Sequence, residues 1–582
     1  MQVVLTTLNA KYIHTSLAIR YLQASVADLE PGLKIKEYNI NQHIEDIAAD
    51  LYLTNPDVVG FACYIWNISE TLRVIGILKK VQPGLTIILG GPEVSYDPGE
   101  ILADHPQVDY IIAGEGEVSF RELLSVLRNK GDLTQVDGLA YRHRDDVLVN
   151  TGRAQIPELD VIPWPYGDLE DIRDKIIYYE CARGCPFHCQ YCLSSTFTGV
   201  RFFSLARVKR DLLRLIEAGV KQVKFVDRTF NCQREYALAI FRFLAEQSGT
   251  TNFHFEIAAD LLDEETLDFL ATVPVGKFQF EIGVQSTYMP TLELIRRNMD
   301  WDHLCERVTR LNRSGNIHLH LDLIAGLPSE SYARFGQSFN DVFALQPGRL
   351  QLGFLKLLKG SGIRQRALEF DYLFTDHPPY EVLGNRDLNY DQLLKLKQIE
   401  NLLEKYANSH HFDAALNYII ANQVSTPFAF FEDLASFWQS REYHLVAHRL
   451  KELYRILKDY YLSRDWNNAA VFLELLKFDY LRQERAIQVP EFFPEYELED
   501  YQERFYSFLK QPYNVQRYFP QYIGLSTREI SKRVQIETFR YDVVKLLENP
   551  QAKAVEEPTT LLFQYEQRDP IFNHVRFDRI EI

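Results

Sequence analysis

The stretch that decides the reading is Glu180-Cys181-Ala182-Arg183-Gly184-Cys185-Pro186-Phe187-His188-Cys189-Gln190-Tyr191-Cys192. Cys185, Cys189 and Cys192 fall at a Cys-x3-Cys-x2-Cys spacing, so one loop supplies three thiolates. Thiolates are soft, anionic ligands that suit iron–sulfur clusters. A cluster used only for electron transfer takes four of them. Three leave one iron open, which points to a 4Fe–4S cluster that binds a substrate or cofactor directly. The same spacing admits zinc if a fourth ligand joins, and both Cys181 and His188 are at hand. Cys181 otherwise reads as a buried free thiol. Cys63, Cys232 and Cys305 are scattered and read as small core residues.

Outward from this loop, residues 176–370 alternate strands and helices. Strands are predicted at 176–179, 222–226, 253–257, 277–284, 318–324 and 350–355, with helices between them, as at 205–218, 264–272 and 301–314. Six strand–helix repeats predict a partial or complete (β/α) barrel. The cysteine cluster follows the first strand, at the C-terminal end where such barrels place their chemistry.

Residues 1–135 also alternate. Apolar strands at 3–7, 58–63, 85–89 and 108–113 imply a Rossmann-like parallel sheet covered on both faces. Ligands then bind beyond the carboxyl ends of the strands. Gly90-Gly91-Pro92-Glu93 and Gly114-Glu115-Gly116-Glu117 sit at those ends. They mark either a site or tight strand-to-helix turns. Residues 136–175 read as a linker holding a hairpin (138–150) and a proline-bearing crossing. Residues 371–582 read as mostly helical, with helices at 391–407, 445–461 and 468–478 and a strand at 559–565. Tyr and Phe are dense there, and no repeat is evident. The fold class is therefore α/β with a helical C-terminal domain.

The bulk numbers narrow the function. A length of 582 residues suggests about three or four domains. A net charge of −17 argues against a sequence-independent grip on nucleic acid, which needs a basic surface. No apolar run reaches the length of a membrane span. Residues 1–9 do not read as a signal peptide, so a cytoplasmic location is expected.

These motifs resemble the radical S-adenosylmethionine superfamily, in the subgroup with an N-terminal cobalamin-binding domain. Cys185-x3-Cys189-x2-Cys192 is that superfamily's hallmark, and the Arg183-Gly184-Cys185-Pro186-Phe187 context matches the subgroup. The resemblance covers about residues 1–365. It implies a 4Fe–4S cluster, S-adenosylmethionine and cobalamin as cofactors. S-adenosylmethionine chelates the open iron, and one electron releases a 5′-deoxyadenosyl radical. The implied outcome is methyl transfer to an unactivated carbon or phosphorus. The alternatives are a non-methylating rearrangement or reduction, modification of transfer RNA, and a non-catalytic metal-binding protein.

Residue by residue, the resemblance puts Tyr191 near adenine. It gives Asp227, at the end of Phe225-Val226-Asp227, the amino group of S-adenosylmethionine. A bland alternative is a capping carboxylate. Glu281 and Gln285, in Phe280 to Ser286, fall where ribose and carboxylate are contacted. Ile324 and Gly326, in Asp322 to Pro328, fall beside adenine. Leu357 to Gly362 departs from the family's sixth-strand pattern. In the N-terminal domain, Asn9, Tyr64, Gly90, Gly91, Gly114 and Glu115 are the implied cobalamin residues. The aromatic loop 63–69 reads as a corrin contact or an interdomain patch. The Asp-x-His-x-x-Gly motif that ligates cobalt elsewhere is absent, and His14 sits at the wrong spacing to replace it. The implied partners are a small-molecule or peptide substrate and an electron donor such as flavodoxin or ferredoxin. No residue is implied as catalytic.

Overall fold

The structure is a computed structural model and describes residues 1–144, 146–152, 155–196, 199–486, 488–496 and 500–582. By internal contacts it divides into two compact units. One comprises 1–317, 324–330 and 353–389; the other comprises 318–323, 331–352 and 390–582.

The first unit begins with a seven-stranded sheet. Its strands are β1 (Val3–Asn9), β2 (Lys34–Asn39), β3 (Val58–Ala62), β4 (Thr86–Gly90), β5 (Tyr110–Ile112), β6 (Leu139–His143) and β7 (Asp146–Val149). The order is β2-β1-β3-β4-β5-β6-β7. β1 to β5 pair in parallel, and β6 and β7 add an antiparallel hairpin at one edge. β1 and β3 are buried along their whole length. That is why they read as unbroken apolar runs: helices cover both faces. One face packs Val4, Val59, Ile87 and Ile111 against helices Ile44–Tyr52 and Ile68–Val81. The other packs Val3, Leu5, Ile88 and Ile112 with Phe120 and Leu124 of helix Gly116–Asn129. The chain order reverses between β1 and β3, and the crevice at such a switch point is where open parallel sheets hold ligands.

β8 (Ile176–Tyr179) starts a second sheet. The short strands β9 (Ala182–Gly184) and β10 (Val200–Phe202) pair antiparallel beside it. β11 (Gln222–Phe225), β12 (Asn252–Ile257) and β13 (Phe278–Gln285) pair in parallel with β8 and one another. With β14 (His318–Ala325) and β15 (Arg349–Phe354) they form a six-stranded sheet in sequential order. That order matches a partial barrel. The interior alternation of β13, buried at every second residue, keeps one face apolar. A ring cluster of Phe225, Phe230, Phe241, Phe255, Phe278 and Phe280 fills that core.

The second unit is largely helical. Helices Tyr332–Phe343, Tyr390–Tyr406, Asp413–Asn422, Pro427–Ser440, Leu450–Leu462 and Ala469–Leu481 pack through aromatic side chains. Tyr461 stacks on Phe472 with ring centroids 3.9 Å apart. Thr426 caps Pro427–Ser440 by accepting the Ala429 N–H. The strand predicted at 559–565 forms as the middle of a three-stranded antiparallel sheet, Val534–Phe539, Thr559–Arg568 and Val575–Ile580. Among the described residues, no helix is long and apolar enough to cross a membrane.

Candidate cofactor cleft and cysteine loop

A cavity of about 1080 Å³ lies beyond the carboxyl ends of β1, β3, β4 and β5. All six residues singled out in the N-terminal domain line it: Asn9, Tyr64, Gly90, Gly91, Gly114 and Glu115. Tyr64 and Trp66 stack face to face at 4.4 Å, forming a flat aromatic wall. Gly91 has φ +111°, and a Cβ there would overlap the Cys63 carbonyl. This glycine is therefore required by the neighbouring strand whatever the cavity holds. Asn67 lies in the loop 63–69 singled out from the sequence, but its own role was not read there. Its amide donates to Leu8 O and Ala62 O at 3.1 and 3.0 Å, and its Oδ1 accepts the Tyr64 N–H at 2.7 Å. It thereby ties the ends of β1 and β3 together at the switch point.

The far wall of the cavity is the cysteine loop. Ala182, Arg183 and Gly184 line it, as do Leu193 and Ser194. Arg183 lies among three carboxylates, at 2.5 Å from Glu117, 2.8 Å from Glu180 and 3.7 Å from Glu115. Glu115 is held more closely by Arg201, at 2.5 Å, and also accepts the Ile156 N–H. Burial pushes the Glu115 carboxyl up, but these hydrogen bonds and charges win and hold it below its usual range. Burial of Glu180 wins over its contact with Arg183 and raises that carboxyl.

The loop after β1 is the second tie between domains. Ile176 N–H donates to Ile13 O at 2.9 Å, and Thr15 Oγ1 donates to Ile176 O at 2.8 Å. His14 lines the cavity, and its Nδ1 lies 2.7 Å from the Tyr178 hydroxyl. The segment that replaces the absent cobalt-ligating motif thus runs alongside the first barrel strand.

Cys185 and Cys189 are buried, and Cys192 is partly so. The loop is pinned by Gln190, whose N–H donates to Ile295 O and whose carbonyl accepts from Ile363 N–H, both at 2.8 Å. The Cys185 sulfur lies 3.6 Å from Thr229 Oγ1, and Cys192 accepts the Ser194 N–H at 3.4 Å. Arg297, which the sequence reading missed, reaches in from 108 residues away. Its Nη1 is 3.9 Å from the Cys189 sulfur, and its other amino group donates to Gly283 O. Its Nε is buried without a partner. Tyr191 stands beside the same sulfur and guanidinium. Among the described residues, no three Cys, His, Asp or Glu side chains close around one metal-sized point. A cluster does not ask for that, since each thiolate binds its own iron. Three thiols, one of them 3.9 Å from a buried cation that no carboxylate pairs among the described residues, fit an anionic cluster. Cys181 is fully buried, and burial pushes its thiol far up. His188 is exposed.

Asp227 sits under the loop, not in the cavity. Both carboxylate oxygens accept the Cys181 N–H, at 3.0 and 3.2 Å. Burial raises its pKa to about 8. Glu281 lies between Lys224 Nζ at 3.0 Å and His254 Nε2 at 2.9 Å. Those partners overcome burial and lower its pKa to about 2. Gln285 ends β13 at φ +73°. Ile324 lies in β14, and the Gly326 carbonyl after it accepts from Tyr372 Oη and Asn385 Nδ2, at 2.9 and 3.0 Å.

The segment 357–362 is close-packed at its glycines. Gly360 has φ +81°, and a Cβ there would run into the Tyr96 ring; one on Gly362 would meet Gln190. Close by, Glu93 accepts the Tyr380 hydroxyl at 2.5 Å and lies 3.7 Å from Lys359. The segment therefore straps the turn after β4 to the cysteine loop.

Comparison with known proteins fits this geometry. Residues 3–124 match the B12 binding domain, 179–342 the radical SAM superfamily, and 368–563 a protein family of unknown function, DUF4080. The chain thus carries, in order, a B12 binding domain, a radical SAM domain and DUF4080.

One relative is the 2-(S-pantetheinyl)-carbapenam-3-carboxylate methyltransferase of Streptantibioticus cattleyicolor. It is 30% identical over 50% of this chain and 45% of its own length. Another is the cobalamin-dependent radical SAM methyltransferase TokK of Streptomyces tokunonensis, 29% identical over 49% of this chain and 44% of its own. The chain thus spans under half the length of these two relatives. The cobalamin-dependent S-adenosylmethionine radical enzyme OxsB, solved with aqua-cobalamin bound, shares the fold. Its TM-score is 0.58 at 14% identity, covering 82% of this chain and 79% of its own.

Proposed function

We propose that this chain is a cobalamin-dependent radical S-adenosylmethionine enzyme that transfers a methyl group to an unactivated carbon. Cys185, Cys189 and Cys192 would hold the 4Fe–4S cluster, and the cleft at Asn9, Tyr64, Gly90, Gly91, Gly114 and Glu115 would hold cobalamin. When bound, these groups supply one-electron cleavage of S-adenosylmethionine and a transferable methyl group. The observation that carries the reading is that both sites share a wall: Ala182 to Gly184 and Leu193 to Ser194 flank the cysteines and line the cleft.

The protein's own residues orient and shield. The Tyr64–Trp66 stack presents a flat face to a planar ring. Arg183 and Arg201 fix the loop against the first domain. For S-adenosylmethionine, Tyr191, Glu281, Gln285, Ile324 and Gly326 are proposed contacts. Asp227 is proposed to act on it through the Cys181 backbone it holds. The functional segments are proposed as 1–135, 136–175, 176–370 and 371–582. The setting is proposed as cytoplasmic, with a flavodoxin or ferredoxin as donor and a small-molecule or peptide substrate. Sequence similarity to the two methyltransferase relatives supports methylation.

Anaerobic reconstitution with iron and sulfide, then reduction with S-adenosylmethionine present, tests the reading. Wild type is expected to release 5′-deoxyadenosine, and Cys189→Ala is expected to release none. Absence of 5′-deoxyadenosine from reconstituted wild type would overturn it. A visible-spectrum titration with cobalamin checks the cleft separately, and no retained corrinoid would remove the cobalamin part.

A further inference from the structure

The helical unit contains a cationic cavity of about 370 Å³ that none of the chemistry above uses. It lies where helix Ala469–Leu481 meets the hairpin of Thr559–Arg568 and Val575–Ile580. Arg482, Arg568 and Arg576 line it against the single carboxylate Asp569, and burial holds the neighbouring His574 toward its neutral form. In a chain of net charge −17, such a local excess of cations needs a reason.

Arg482 is the residue that calls for a ligand. Its carbonyl accepts the Val575 N–H at 3.1 Å, which fixes its backbone against the sheet. Its guanidinium lies 5.8 Å from the Phe478 ring centroid and 6.0 Å from that of Phe577. Its Nε is buried with no hydrogen-bond partner. Among the described residues, its side chain makes no hydrogen bond and no ion pair. A buried, unsatisfied charged donor is costly, so such a group is ordinarily met by water or an anion.

The carboxylates nearby are already engaged. Asp569 Oδ1 accepts the N–H groups of Ile571 and Phe572, at 2.9 and 2.6 Å. Asp413 pairs with His410 at 3.2 Å and lies 3.8 Å from His574, and the more distant Arg482 charge helps hold its carboxyl down. Asp479 accepts the Ala414 and Ala415 N–H groups. Arg568 bonds the carbonyls of Asn573 and Gln483, both at 2.7 Å, which holds its fork rigid. Arg576 donates to Gln567 Oε1 at 3.2 Å, lies 3.6 Å from the Asp578 carboxylate and is largely exposed.

We infer that this cavity binds an oxyanion, the phosphate or carboxylate of a small ligand, gripped by Arg482 with Arg568 and Arg576 around it. The planar guanidinium fork matches two oxygens of such a group, and a carrier sandwiched near aromatic rings is held ready to use it. The volume is within the range of small-ligand pockets. The inference stands on the helical unit alone and does not depend on the radical chemistry.

Isothermal titration of the full chain with inorganic phosphate, and separately with succinate, tests it at constant ionic strength against a chloride reference. Saturable one-to-one binding of at least one anion is expected. Phosphate alone assigns a phosphoryl ligand, and succinate alone a carboxylate one. Arg482→Gln should weaken binding about ten- to hundredfold. Arg482→Lys, which keeps the charge without the fork, should fall between. Arg576→Gln, on an exposed side chain, should fold normally and bind severalfold more weakly. No saturable binding of either anion by wild type would overturn the inference. So would unchanged affinity in a natively folded Arg482→Gln or, if that variant does not fold, in Arg576→Gln.

Discussion

Arg297 places its Nη1 3.9 Å from the sulfur of Cys189 while its other amino group holds the Gly283 carbonyl of β13. One side chain therefore joins the cysteine loop to the strand end opposite it. Replacing it by Gln removes the cation that faces the Cys189 thiol and weakens the tie to Gly283. A hydrogen bond from a charged group contributes about 1.5–3 kcal/mol. Arg297→Gln is expected to lower the apparent melting temperature and to bind less iron and sulfide per chain after reconstitution. Arg297→Lys should recover part of the cluster content. Full wild-type iron and sulfide in Arg297→Gln would show that the guanidinium does nothing for the cluster.

Arg183 holds the cysteine loop against the first domain through Glu117, and also pairs with Glu180 within its own segment. Removing it strands two buried carboxylates. Breaking a buried pair by deleting one partner costs about 3–5 kcal/mol, because the remaining charge is left uncompensated. Arg183→Met should therefore lower the urea midpoint sharply. Adding Glu117→Gln to it should recover part of the loss, since one stranded charge disappears. Denaturation curves of the single and double variants measure this. Strict additivity would mean the two residues do not interact.

How far the site could be read in advance depends on how local its causes are. The cysteine spacing lies within one loop, and the glycine turns mark strand ends, so both are visible in sequence. Strand β2, Lys-Ile-Lys-Glu-Tyr-Asn, was not: it is a sheet edge with its first residue exposed, and its charges blunt the edge at the expense of the apolar pattern. The hairpin of β6 and β7 was visible, but its joining of the first sheet was not, because pairing with β5 is a long-range choice. Glu115 illustrates the same limit. Its turn points to the cleft, and it does line it, yet its carboxylate is held by Arg201 from 86 residues away. Arg297 and Asn67 act through tertiary neighbours and carry no motif.

Asp227 gives a pH signature. Burial raises its folded pKa to about 8, against an ordinary carboxylate near 3.8. Between those values the folded chain binds the extra proton, so its contribution to stability falls as pH rises. Asp227→Asn keeps an oxygen for the Cys181 N–H and cannot ionise. The variant's stability relative to wild type should therefore climb from about pH 4 to about pH 8 and then level off. The limiting slope is about 1.4 kcal/mol per pH unit. Urea denaturation at several pH values checks this, and a pH-independent difference would mean that Asp227 is already ionised in the fold.

Gly360 tests the strap between the two sites. Its φ of +81° disfavours any side chain, and a Cβ would run into the ring of Tyr96. Tyr96 in turn bonds Thr196 Oγ1 at 3.0 Å, just past the cysteine loop. Gly360→Ala therefore adds two separate penalties. One is backbone strain of about 1–2 kcal/mol. The other is overpacking of about 1–3 kcal/mol. Tyr96→Ala removes the obstacle but leaves the strain. In a double-mutant cycle read by thermal unfolding, the pair should lose less stability than the sum of its single variants, by the size of the overpacking penalty. Cobalamin retention, read from the visible spectrum, should fall in Gly360→Ala and return partly in the double variant, because the ring is pushed toward the cleft it lines. A pair whose losses simply add would place the Gly360 effect wholly in the backbone, and the strap would then not transmit to the cleft through Tyr96.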